Sequence, residues 1–245
     1  MAIIVFQHSN HGGAGRLGTT LRDHGYKLEY RRPDVHGTDP NRGVPPDLNN
    51  VHGVIILGGP QYVTDTEKTP WLAAECAFVK TAHEAGLPVI GICLGAQMIA
   101  QALGGSVDWK ERPALGMLKL SLNVPGQTET IFNGISWEHP QFFSCSQEVK
   151  KLPAGATVLA SAPSTANAAF KVGLRTYAFQ FHPECDKPML AALSADSCAV
   201  MEKAGTSQSD IDAQFDRDYD LYARSSDRLC VNIATYCLPF AARVR

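Results

Sequence analysis

Short, uninterrupted apolar runs alternate with amphipathic stretches over the first hundred residues. Ala2–Phe6, Lys27–Arg31, Val54–Leu57 and Val89–Ile92 read as strands. The turn-rich segment Ser9–Gly15 closes the first, and a helical stretch runs on to about His24. Trp71–Ala85 carries apolar residues at helical spacing, and Leu94–Leu103 predicts a further helix stopped by Gly104-Gly105. The Pro/Asp/Asn-rich stretch Pro33–Asn50 predicts a long surface loop. Strands that are apolar throughout, separated by helices, predict a mostly parallel sheet covered on both faces, the doubly wound α/β class. Such sheets bind ligands at the carboxyl ends of their strands.

From Ser106 the rhythm changes. Leu118–Val124, Phe142–Ser144, Thr157–Ser161, Ala168–Val172 and Tyr177–Phe181 are shorter alternating pieces, read as antiparallel strands added to the central sheet. After Glu184 the pattern is helical, with Ile211, Phe215, Tyr219 and Tyr222 spaced for one buried face. No repeat or linker interrupts the chain, which predicts a single domain: a catalytic core over 1–185 and a helical C-terminal extension over 186–245.

Composition narrows the class. At 245 residues and 44% hydrophobic content, the chain can build a core without disulfide or metal support. A formal charge of -2 with no dense basic run argues against a nucleic-acid partner. The uncharged stretch from Leu87 to Val107 is broken by Pro88, glycines, Gln97 and Gln101, so no membrane span is expected. Seven cysteines without a Cys-x-x-Cys pair, and a start without a basic leader region, suggest a reducing cytoplasm and no structural metal site.

Three segments carry chemistry. In Gly91-Ile92-Cys93-Leu94-Gly95 a cysteine sits where a buried strand hands over to a helix, flanked at both second neighbours by glycine. This is a nucleophile elbow with Cys in place of Ser. The tight turn lifts the sulfur to the strand's carboxyl end, and the helix N-terminus stabilises a thiolate. In Phe179-Gln180-Phe181-His182-Pro183-Glu184, an extended backbone would turn Phe179 and Phe181 inward while His182 and Glu184 project together as base and orienting acid. Leu57-Gly58-Gly59-Pro60 ends another buried strand on the same edge, where the Gly59 N–H and that of Leu94 could form a two-donor oxyanion hole.

In order and spacing, these segments together with Ala96-Gln97 resemble the motif series of class I (triad-type) glutamine amidotransferases over roughly residues 1–185. The resemblance implies a flavodoxin-like amidotransferase fold. It makes Cys93 the nucleophile, His182 the base and acid, Glu184 the orienting residue, and Gly59 and Leu94 the oxyanion donors. Gly58, Gln97, Ser144 and Cys145 become substrate-binding residues. The implied reaction cleaves the γ-glutamyl amide of glutamine through a glutamyl thioester, with no cofactor or metal. Many relatives carry Ser-His-Gly-Asp or Trp-His-Gly-Asp where this chain reads Ser144-Cys145-Ser146-Gln147, which bears on substrate choice. No synthase domain or phosphate loop is visible, so the expected partners are a small-molecule substrate and a separate ammonia-accepting synthase chain. The alternatives are a γ-glutamyl peptidase acting on dipeptides or glutathione-like compounds, and a non-catalytic regulatory subunit. Asn10-His11-Gly12-Gly13 is read as a surface turn, and Asp216, Asp218, Asp220 and Asp227 as a solvated helix face.

Overall fold

A computed structural model of the chain describes residues 2–35, 43–65 and 67–243; part of the loop expected over Pro33–Asn50 thus lies outside the described residues. The elements run β1 (Ala2–Phe6), α1 (Gly15–Asp23), β2 (Leu28–Arg31), β3 (Val51–Ile56), α2 (Trp71–Glu84), β4 (Val89–Ile92) and α3 (Leu94–Ala102). Next come β5 (Ser106–Leu122), α4 (Val124–Thr128), β6 (Glu138–Lys151), β7 (Ala156–Ala162), β8 (Thr165–Val172) and β9 (Thr176–Phe179). The chain closes with α5 (Lys187–Ala195), α6 (Cys198–Ala204) and α7 (Gln208–Asn232). One sheet in the order β2-β1-β3-β4-β9-β8-β7-β5-β6 joins all the strands. Its first five strands are mutually parallel and the rest join antiparallel. This is the α/β sheet that the apolar runs predict.

Strand alternation divides the core between the two faces. From β1, Ile3 and Val5 enter a cluster with Leu17 and Leu21 of α1 and Leu229 of α7. Ile4 and Phe6 enter the opposite cluster with Phe78 and Val79 of α2 and Ile99 of α3. A third cluster lies between the β5–β6 hairpin and the C-terminal helices, built from Leu115, Met117, Phe142, Leu190, Ile211 and Tyr222.

The hairpin is where structure departs most from pattern. Sequence marks only Leu118–Val124 and Phe142–Ser144, yet β5 and β6 pair from Ser106↔Lys151 to Ser121↔Glu138. Their outer part carries polar residues on both faces (Asp108, Lys110, Glu111, Arg112) and leaves Trp109 exposed, so it lacks the apolar alternation that marks a half-buried strand.

α7 holds the C-terminal region to the rest. Ser207 and Asp210 form a reciprocal capping box at its start, and Ile211 and Tyr222 are fully buried on its inner face. Asp216, Asp218, Asp220 and Asp227 lie on this helix, and Asp227 pairs with Arg16 of α1 at 2.7 Å.

Candidate active site

The sheet order sets β3, β4 and β9 side by side and parallel, so Gly58-Gly59, Cys93 and His182 emerge along one carboxyl edge in that spatial order. Cys93 has φ 52° and ψ -104° and is one of two non-glycine residues with positive φ among those described. Such a conformation costs about 1–3 kcal/mol and persists only when its surroundings enforce it. Here the Cys93 N–H donates to Phe179 O at 2.8 Å, while its carbonyl accepts from Ala96 at 3.0 Å and Gln97 at 3.2 Å. The flanking glycines are needed for space: a Cβ on Gly91 would lie 2.5 Å from Gly95 O, and one on Gly95 would overlap Ile56 O. The Cys93 thiol points across to β6, donating to Ser144 O at 3.6 Å. Leu94 opens α3, so its N–H has no acceptor within the helix.

β9 stops at Phe179, two residues short of the strand that the pattern predicts over Tyr177–Phe181. The backbone then changes partners: Gln180 N–H donates to Ala168 O of β8 and His182 N–H to Phe142 O of β6, both at 2.8 Å. His182 and Glu184 therefore meet across a turn, and the expectation of an extended strand at this point is corrected. Glu184 Oε1 accepts from His182 Nδ1 at 2.8 Å, with both side chains almost fully buried. Tyr222 of α7 braces the turn, its hydroxyl lying 2.7 Å from His182 O and 2.9 Å from Cys185 O. Burial opposes charge on the imidazole, but the negative charges of Glu184 and of a Cys93 thiolate outweigh it and raise its pKa well above the usual range.

These groups open into a pocket of about 310 Å³ lined by Gly58, Gly59, Cys93, Leu94, Gln97, Ser144, Cys145, His182 and Glu184. Every site residue expected from the sequence is thus brought together. Gly58 is wedged between the two central side chains, since a Cβ there would stand 2.9 Å from His182 Cε1 and 3.4 Å from Cys93 Cβ. Gln97 lies one turn after Cys93, its amide nitrogen donating to Gln147 O at 3.0 Å. Ser144 is tied by its hydroxyl to Ser197 at 3.4 Å, and burial pushes the Cys145 thiol up to about 12. His182, Glu184 and Cys185 also bring ligand-type atoms within 4.8 Å of one another; a metal there would have to displace the proton shared by His182 and Glu184.

Sequence reasoning missed part of the wall. The Asn10–Gly13 turn lies at the surface as read, but His11 and Gly12 also border the pocket: β1 lies beside β3, so its following loop folds over the same edge. Gln61, Met189, Leu193, Asp196 and Val200 also line it. The half-buried apolar spacing of Met189 and Leu193 on α5 was the available signal, but pattern alone does not tell a pocket wall from a core face. Four of the lining residues have a buried polar atom without a hydrogen-bond partner among the described residues: Gln61 Oε1, Gln147 Oε1, His182 Nε2 and Glu184 Oε2.

The glutamine amidotransferase class-I family model matches residues 16–189. Glutamine-hydrolysing GMP synthases are among the similar curated proteins. That of Porphyromonas gingivalis is 31% identical over 146 residues, covering 59% of this chain and 27% of the relative. That of Aquifex aeolicus is 35% identical over 136 residues, covering 55% and 25%. The chain thus spans about a quarter of the length of these relatives. Among solved structures, a glutamine amidotransferase from Thermotoga maritima superposes with a TM-score of 0.80 at 19% identity, covering 96% of this chain and 98% of that one. One from Methylobacillus flagellatus gives 0.76 at 22% identity, covering 100% and 96%; at such identities the likeness speaks to fold. Among the described residues, no helix is long and apolar enough to cross a membrane. With the family match spanning most of the sheet and all the strand ends that meet at Cys93, the chain belongs to the class I glutamine amidotransferase family.

Proposed function

We propose that the chain is a cysteine hydrolase that cleaves the γ-glutamyl amide of glutamine, releasing ammonia or handing it to a separate synthase chain. The observation that carries this reading is the convergence of a strained elbow cysteine, a His182–Glu184 pair and the Gly58-Gly59 turn in one pocket. His182 takes the Cys93 proton, and the thiolate sulfur bonds to the γ-carbonyl carbon. The charge that develops on the carbonyl oxygen is met by the N–H groups of Gly59 and Leu94, each worth about 3–4 kcal/mol in the transition state. As the C–N bond breaks, the imidazolium returns its proton to the leaving nitrogen. Water, deprotonated by His182, then cleaves the thioester to give glutamate and restore the thiol. Glu184 holds the imidazole in the tautomer that presents Nε2 and stabilises its charged form. The cycle balances without a cofactor or a metal. A regulatory, non-catalytic role gives no reason for a strained cysteine opposite an imidazole with a free nitrogen.

Glutamine-dependent ammonia release should fall by at least about 10⁴-fold in Cys93→Ala, in line with losses on removing nucleophiles elsewhere. A glutamine-mimicking diazoketone should attach to Cys93 in peptide maps. Full activity in the variant, or an adduct on another cysteine, rejects the assignment.

A further inference from the structure

The pocket lining has two chemically different stretches, and β6 contributes to both, Gln147 to one and Ser144 to the other. At one end Gln147 Nε2 donates to Thr64 Oγ1 in the β3–α2 loop at 2.8 Å, beside Gln61, whose Nε2 donates to His8 O at 2.9 Å. With their nitrogens so committed, Gln61 and Gln147 each keep a buried carbonyl oxygen that has no partner among the described residues. Two idle acceptors suit an ammonium group, such as the α-ammonium of a glutamyl unit.

At the other end Ser144 is tied to Ser197 at the α5–α6 corner, and the wall is apolar. Met189, Leu193 and Val200 are half-buried there, packed on the third core cluster from behind and facing the cavity. α5 begins just after Glu184, capped by Asp186, so this wall adjoins the His182–Glu184 turn. That is the side on which a leaving nitrogen collects its proton. Asp196, exposed at the end of α5, borders the same end, and no lysine or arginine lines the pocket among the described residues. Leu193, Asp196 and Val200 also lie beyond residue 189, where the family match ends.

We infer that the leaving group is a primary amine with an apolar substituent, so that the substrate class is γ-glutamyl alkylamides, and α5–α6 forms the alkyl subsite. This rests on the hydrolase reading above and deepens it. Bond changes are as for glutamine: S–C forms, C–N breaks, His182 protonates the departing alkylamine, and water releases glutamate from the thioester. A leaving amino acid would bring its carboxylate against Asp196, like charge to like charge, so the amine is preferred to the amino acid of the same shape.

The test measures kcat/KM for glutamine, γ-glutamyl ethylamide, γ-glutamyl butylamide and the matched pair γ-glutamyl isopentylamide and γ-glutamyl leucine. Each buried methylene should raise kcat/KM by about fourfold, so butylamide exceeds ethylamide by about tenfold or more. Isopentylamide should exceed γ-glutamyl leucine by a similar factor. In Leu193→Asp, and more mildly in Leu193→Ala, the ratio of butylamide to glutamine should fall. Ratios within one preparation remain readable if a variant folds poorly, and the wild-type series needs no variant. A response flat in chain length, or a preference for γ-glutamyl leucine, overturns the alkyl subsite. Cleavage of glutamine with refusal of alkylamides overturns it too, but leaves the hydrolase reading standing. Failure on every substrate, together with no diazoketone adduct on Cys93, overturns both.

Discussion

At the scale of single residues, the edge of the site is supported by a second buried histidine–carboxylate pair. His8, just past β1, is fully enclosed, stacked on Trp71 at 5.5 Å and paired with Glu75 of α2 at 3.0 Å. Its other nitrogen lies 3.1 Å from Leu57 O, so the pair pins the start of the Gly58-Gly59 turn. Burial alone would keep His8 neutral, but Glu75 and the Leu57 and Gly58 carbonyls together raise its pKa. The folded protein therefore holds this proton more tightly than the unfolded chain. The resulting stability is fully present below the unfolded value of about 6.5 and is lost as pH rises through the folded value. Glu75→Gln removes the dominant raising charge and leaves burial in command, so the dependence should reverse, His8 costing stability as pH falls. Urea unfolding of both proteins between about pH 5.5 and 8.5 reads this difference directly, since other histidines contribute equally to each. The variant should also lose stability overall, by less than the about 3–5 kcal/mol typical of stripping one partner from a buried pair, because the amide keeps a hydrogen bond. An unchanged pH slope would mean that Glu75 does not set the charge on His8.

At the scale of elements, α7 is a brace for the His182–Glu184 turn. Tyr222→Phe removes the hydroxyl from the His182 carbonyl, whereas Cys185 O keeps the Arg16 Nε donor at 3.0 Å. The loss should cost about 1–2 kcal/mol of stability, and kcat/KM for glutamine should drop by about ten- to a hundredfold as the imidazole loses its fixed position. Equal activity with reduced stability would make the contact purely structural. Elements were legible in proportion to how fully they are buried. β4 was read to the residue, because Val89, Ile90 and Ile92 have core on both faces. Pattern marks β5 and β6 only where they cross the core, and it misses the turn after Phe179 because the hydrogen bonds there, to Ala168 and Phe142, are made by tertiary neighbours that pattern cannot see. Cys93, His182 and Glu184 could be singled out because glycines and a proline mark their backbone. Gln61 and Leu193 could not, since nothing local distinguishes a glutamine in a loop or a leucine on a helix from any other.

At the scale of the molecule, the helices after Glu184 complete the structure that holds the site. They supply Leu190, Ile211 and Tyr222 to the third cluster and Leu229 and Ile233 to the first. A chain cut at residue 189, where the family match ends, should expose these surfaces and lose cooperative unfolding in calorimetry; a cooperative, active fragment would show that α5–α7 are dispensable. The described cysteines have a further consequence. Six are free thiols, and burial drives those of Cys76, Cys145, Cys185 and Cys237 up to about 12 and that of Cys230 upward as well. While the fold is intact these five sulfurs stay protonated, and all but Cys145, which lines the pocket, are largely hidden from alkylating reagents. Each opening of the core would release them in a group, so the chain carries a built-in chemical stopwatch whose ticks count excursions out of the native state.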